Sequence, residues 1–148
     1  MNYLNQLTKT LDENYEKLPK LPKGVNDFIV SVAPWLALIF GILGVVSGLA
    51  AFGILAALSP FAMVAGAGRY AFTGPLMALV LIVQSVIELW AFPSLKARRV
   101  KGFNLMFYSI LLSVVSSVFS LSVFSILGAI IGALIGYYFL YNIKSYYK

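Results

Sequence analysis

Residues 35–58 read WLALIFGILGVVSGLAAFGILAAL, 24 positions without a charged side chain. As a helix this run extends ~36 Å at ~1.5 Å per residue, enough to cross a ~30 Å hydrocarbon core with some tilt. A small soluble domain has no interior to hide it, because small domains bury the smallest share of their surface. The rest of the chain has the same character. Of 148 residues, 61% are hydrophobic and 11% charged, against roughly 25% charged in soluble domains. Mean hydropathy is +0.91. The lipid bilayer is therefore the solvent to which this sequence is fitted.

Downstream of the run, Ser59-Pro60 predicts its end, and residues 60–73 read as an apolar connection containing Ala65-Gly66-Ala67-Gly68-Arg69. Gly74-Pro75 predicts the start of a second span, about 75–92, that stops at Pro93. A basic loop follows, Lys96-Ala97-Arg98-Arg99-Val100-Lys101. Residues 102–143 again carry no charge. One helix of that length would be ~63 Å long, about twice the hydrocarbon thickness. Two spans are expected instead, about 103–119 and 123–143, with a turn near 119–123 where Ser116, Ser117, Ser120 and Ser122 crowd.

Upstream, Leu4, Leu7, Leu11 and Leu18 recur at helical spacing, which predicts an amphipathic helix ended by Pro19. The doubled unit Leu18-Pro19-Lys20, Leu21-Pro22-Lys23 reads as an extended linker. Asn26 or Asp27 suits the cap of a short helix over 27–33, closed by Pro34. Residues 1–27 lack an apolar signal-peptide core, so the first span is expected to act as the uncleaved insertion signal. The predicted fold is all-α: four transmembrane helices within 28–148, preceded by an amphipathic helix and linker over 1–27.

Charge orients this scheme. With the N-terminus cytoplasmic, ten of the eleven cations fall on the cytoplasmic side, and Arg69 alone falls outside. The positive-inside bias predicts cytoplasmic N- and C-termini, with Lys96, Arg98, Arg99 and Lys101 as the main topology determinants. Tyr137, Tyr138, Tyr141, Tyr146 and Tyr147 suit an aromatic belt at the same side.

The inventory narrows the chemistry. Cys and His are absent, which removes thiolate nucleophiles, Cys/His metal sites and imidazole acid–base catalysis. Of the five acidic residues, Asp12, Glu13, Glu16 and Asp27 precede the apolar region, which leaves Glu88 alone at membrane depth. No enzyme, cofactor or metal site is expected. Nucleic-acid binding is not expected either, because the cations flank apolar runs and form no basic face with interleaved aromatics.

Three features remain as candidates. Gly128-x-x-x-Gly132-x-x-x-Gly136 forms a glycine zipper, and Gly44-x-x-x-Gly48 repeats the spacing on the first span. Missing side chains at this spacing let a second helix approach closely, within the bundle or between subunits. Gln84 and Glu88 lie one turn apart on the second span. An ionisable group there is a functional candidate because charge is costly in hydrocarbon. The alternative for Glu88 is an interfacial anchor paired with Lys96, Arg98 or Arg99. Finally Ser109, Ser113, Ser117 and Ser120 line one side of the third span, as small packing residues bonded to their own helix or as a polar path.

The stretch Phe92-Pro93-Ser94-Leu95-Lys96-Ala97-Arg98-Arg99, then Gly102 to Ser109, and the ending Ile143-Lys144-Ser145-Tyr146-Tyr147-Lys148 resemble small four-span membrane proteins of candidate-phyla bacteria. The resemblance implies a bacterial origin and no particular activity. The small multidrug-resistance exporters share four spans and one membrane glutamate, but theirs lies in the first span, so they serve as an analogy only. The expected function is a non-enzymatic protein of the bacterial cytoplasmic membrane. Its partners are the bilayer and a second copy or another membrane protein, joined by helix–helix assembly as homo-oligomer, subunit or scaffold. The alternative is a small transporter or channel that moves an ion or small molecule past Glu88, Gln84 and the serine line.

Overall fold

The computed structural model describes residues 6, 9–10, 13–15, 17–119 and 123–148. Four long helices follow one another: α1 (Lys23–Val64), α2 (Gly68–Lys96), α3 (Val100–Phe119) and α4 (Val123–Asn142), with a 3-10 turn at Lys144–Tyr146. All four are long and apolar enough to cross a membrane, and no strand occurs among the described residues. The fold is an all-α polytopic one. In the amphipathic segment Gln6, Lys9, Thr10 and Glu13–Tyr15 are helical. Its stripe residues Leu4, Leu7 and Leu11, like Ser120 and Ser122 of the expected turn, lie outside the described residues.

Four of the prolines do not bound helices as the sequence reading expected. Pro34 and Pro60 lie inside α1, and Pro75 and Pro93 inside α2. The short helix over 27–33 is thus the beginning of α1, whose N-cap is Pro22 and not Asn26 or Asp27. The connection expected over 60–73 contracts to residues 65–67. The physical reason is the solvent. In hydrocarbon no water receives a freed backbone group, so the helix persists and a neighbour supplies the missing partner. Pro75 shows this directly. It lacks the N–H that the Ala71 carbonyl would accept one turn back. The Ser59 hydroxyl of α1 stands 2.8 Å from the Ala71 oxygen and equally 2.8 Å from the Leu55 carbonyl of its own helix, so the two carbonyls share its one proton.

Both well-described connections close with the same C-cap. At the end of α1, the Gly66 amide bonds the Met63 carbonyl and the Ala67 amide the Ala62 carbonyl. At the end of α2, the Arg98 amide bonds the Leu95 carbonyl and the Arg99 amide the Ser94 carbonyl. This double bond pattern is the Schellman motif, which needs a left-handed residue after the cap. Gly66 fills that place with φ +77°, and Arg98 with φ +52°.

The helices pack in chain order: α1 on α2, α2 on α3, α3 on α4. The buried interior gathers at the basic end, where Val30 of α1, Ala91 and Leu95 of α2, Phe103 and Phe107 of α3 and Tyr137 of α4 form one cluster. Phe107 and Tyr137 rings lie 5.0 Å apart. The C-terminal segment closes this end, with the Lys148 amide bonding the Arg98 carbonyl at 3.0 Å and the Lys148 carbonyl accepting from Val100.

Register shows that the two hairpins differ in height. Gly102 sits against Leu95, and Ser109 meets Glu88, so Phe119, the last described residue of α3, falls level with Ala78 of α2. The ten α2 residues before Ala78 rise a further ~15 Å beyond the described part of α3. Side chains on this projecting part of α1–α2 are apolar and open: Phe61 is 72% exposed, Val64 91% and Phe72 70%.

Candidate functional site

The two glycine series have different surroundings. A Cβ at Gly41 would lie 2.7 Å from Leu89 Cγ and 3.1 Å from the Ser85 carbonyl oxygen. One at Gly44 would collide with Ser85 Oγ, and one at Gly48 would lie 2.6 Å from Ile82 Cγ1. Absent side chains on α1 therefore admit the backbone of α2, and Ser85 is buried between them with its hydroxyl bonded to the Leu81 carbonyl at 2.7 Å. On α4 a Cβ at Gly128 or Gly132 would meet nothing within 4 Å, while one at Gly136 would touch Ile110 Cδ1 of α3 at 3.2 Å. A step of four residues advances ~40° around a helix, so Gly136 lies ~80° round from Gly128. Gly136 and the buried Ala133 turn toward the chain's own core, whereas Gly128 and Gly132 stay exposed.

The glycine held closest to a neighbouring backbone escaped the sequence reading. At Gly102, in the first turn of α3, a Cβ would lie 2.6 Å from the Leu95 amide nitrogen and 2.8 Å from the Ser94 carbonyl carbon. Two helix backbones touch there. The available signal was a glycine directly after a basic loop too short to hold two helix ends apart.

Glu88 sits between α2 and α3. Ser109, 2% exposed, donates to Glu88 Oε1 at 3.2 Å, and Gln84 lies one helical turn before Glu88 on the same helix. The half-buried Glu88 thus meets a neighbouring helix through Ser109. The loop cations are engaged or open. Lys96 Nζ stands 5.5 Å from the Trp35 ring and 5.9 Å from the Phe92 ring, Arg98 holds the Schellman turn, and Arg99 and Lys101 are exposed.

The serine line divides. Ser109 reaches across to Glu88, while Ser116 donates to the Ser113 carbonyl at 2.9 Å and Ser117 to the Val114 carbonyl at 2.7 Å. Ser113 and Ser117 are half-buried, and Ser120 lies outside the described residues. Hydroxyls bonded back to their own helix carbonyls need no second partner.

At the basic end the linker docks on α4. Tyr15 stacks on Tyr141 with ring centroids 5.1 Å apart, and its hydroxyl donates to the Leu134 carbonyl at 3.2 Å. Tyr138 donates to the Pro19 carbonyl at 2.8 Å, and the Leu21 amide to Asn142 Oδ1 at 2.9 Å. Between linker, α1 and the 3-10 turn lies a cavity of about 480 Å³, with Lys20, Lys23, Lys144, Asn26 and Tyr146 in its wall. Lys144 Nζ is held 5.3 Å from the Tyr141 ring. The Asp27 carboxylate near the Tyr146 phenol raises it above its ordinary range, while Arg98 opposes the shift. Among the described residues no group of His, Cys, Asp and Glu is placed to hold a metal ion.

No protein-family model, curated protein or solved structure matches this chain.

Proposed function

We propose that this protein is a non-enzymatic component of a bacterial cytoplasmic membrane that acts by helix–helix assembly, joining a second copy of itself through α4. One observation carries the reading. The glycines of α1 are closed against α2, whereas Gly128 and Gly132 leave a notch on α4 that no part of the described chain enters. In lipid, where apolar surface alone gives helices no reason to associate, close backbone approach at small residues is what drives contact. The absence of Cys and His from the sequence supports a non-catalytic role. Charge asymmetry supports an orientation with both termini cytoplasmic and Arg69 on the far side. The sequence resemblance supports the bacterial origin.

The test is molar mass in detergent micelles by light scattering. Wild type is expected as an oligomer, and Gly132→Leu as a monomer that stays folded. A monomeric wild type, or a Gly132→Leu oligomer of unchanged mass, refutes the reading.

A second reading is a small transporter, favoured by the Ser109–Glu88 contact inside the helix array. Its signature is proton- or cation-coupled flux in reconstituted vesicles that Glu88→Gln abolishes while the protein stays folded. Silence of that variant in the flux assay removes the transporter.

A further inference from the structure

α4 is held more thinly than its neighbours. It is the least buried of the four spans, and none of residues 123–132 is buried. Its buried residues, Ala133, Tyr137 and Leu140, form one stripe in the cluster shared with α3. A helix gripped along a single apolar stripe can roll about its axis, because hydrophobic attraction has no direction.

A second grip comes from the linker. Tyr15 stacks on Tyr141 and donates to the Leu134 carbonyl, the Pro19 carbonyl accepts from Tyr138, and the Leu21 amide donates to Asn142. Leu134, Tyr138 and Tyr141 each follow one of Ala133, Tyr137 and Leu140 by a single residue, so the linker stripe lies ~100° round α4 from the core stripe. Gly132 and Phe139 each precede a core residue by one and lie ~100° round in the other sense; both are exposed. Two grips on different faces hold a helix against rolling, and here they turn the glycine notch outward. The linker runs directly into α1 at Lys23. Packing in chain order leaves α1 and α4 without an extensive shared face, so the linker also ties the first helix to the last. The tie is light. The Tyr15 and Tyr138 bonds are open to solvent, where a hydrogen bond exchanges for one to water with little net loss.

We propose that the linker is a releasable strap that sets the rotation of α4 about its own axis, and so decides whether Gly128 and Gly132 face outward. The meaning of that control rests on assembly through α4, whereas the rotation itself does not.

Rotation is read on the full-length chain in micelles dilute enough for monomers, so the result stands even if the wild type never assembles. Methyl NMR with a doxyl-labelled fatty acid in the micelle reports which side chains meet lipid. In wild type the exposed Ile131 and Ile135 methyls are expected to broaden, and the buried Ala133 and Leu140 methyls to be protected. Tyr15→Phe/Tyr138→Phe/Asn142→Ala keeps both aromatic rings and removes the three strap hydrogen bonds. Broadening at Ala133 and Leu140 is then expected to rise roughly tenfold, the factor that three such bonds are worth at their lower limit. Ala91 and Leu95, buried on α2, are expected to stay protected, which shows that the rest of the fold is intact. Continued protection of Ala133 and Leu140 in the triple variant overturns the strap. Equal broadening at Ala91 and Leu95 overturns it too, because the linker is then a general brace and not a control on α4.

Discussion

Replacing Gly102 by alanine drives a methyl group to 2.6 Å from the Leu95 amide nitrogen and 2.8 Å from the Ser94 carbonyl carbon. Both obstacles are backbone, so no rotamer change relieves the clash; α2 and α3 must separate by several tenths of an ångström. Their shared interior, Leu95 with Phe103 and Phe107, loosens with them. Overpacking costs ~1–3 kcal/mol, and a site closed by backbone belongs at the upper part of that range. Alanine's advantage over glycine within a helix, up to ~1 kcal/mol, offsets part of this. The net expectation for Gly102→Ala is destabilisation by about 1–2 kcal/mol. The same substitution at Gly132 meets nothing within 4 Å, so the helix preference acts alone and stabilises the protomer by up to ~1 kcal/mol. Equilibrium unfolding in mixed micelles, dilute enough for monomers, reads both variants through the near-ultraviolet signal of the Phe103, Tyr137 and Tyr141 rings. Opposite shifts of the midpoint are expected. A Gly102→Ala midpoint at or above wild type would refute the backbone contact, and a Gly132→Ala loss larger than that of Gly102→Ala would refute the open face on α4.

Three further outcomes follow from single contacts. Ser59→Ala should cost up to about 1 kcal/mol, because the Ala71 carbonyl loses the donor that it shares with the Leu55 carbonyl; in a Pro75→Ala background, where residue 75 regains its N–H, that cost should shrink, and a double-mutant cycle measures the difference. Arg98→Gly should raise the unfolding midpoint by an amount worth up to ~1 kcal/mol, since a non-glycine left-handed residue costs ~1–2 kcal/mol and glycine's extra unfolded-state freedom returns part of it. Ser109→Ala should destabilise by about 1 kcal/mol, while Glu88→Gln, which keeps an acceptor facing Ser109, should shift the same midpoint by much less.

The four spans were legible because hydrocarbon thickness is a ruler that the uncharged runs 35–58 and 102–143 can be laid against. Helix ends were not. Proline marks an end in water, where the freed carbonyl finds solvent, and Pro75 marks none here because Ser59 answers Ala71 from another helix. Nothing local to Pro75 announces that partner. Glycine spacing was equally ambiguous: Gly44-x-x-x-Gly48 and Gly128-x-x-x-Gly132 look alike in sequence, yet only the former is closed by α2. Spacing tells that a helix can be approached, and long-range packing decides by what. The cavity at the basic end was hidden for a related reason. Lys20, Lys23 and Lys144 read as topology signals singly, and more than a hundred positions separate the first from the last; docking of the linker on α4 brings them to one place.

The unequal heights of the two hairpins have a consequence for the membrane itself. A flat bilayer cannot match both the described α3–α4 helices and an α1–α2 pair that reaches ~15 Å above them. Lipid must thicken along one flank, or the tall pair must lean, and either deformation costs energy for every ångström of mismatch. The protein should therefore favour thick, ordered bilayers, and two molecules that set their tall flanks side by side would share one deformed annulus in place of two. Association would then gain a contribution from the surrounding lipid that no protein contact supplies, and acyl-chain length would tune it.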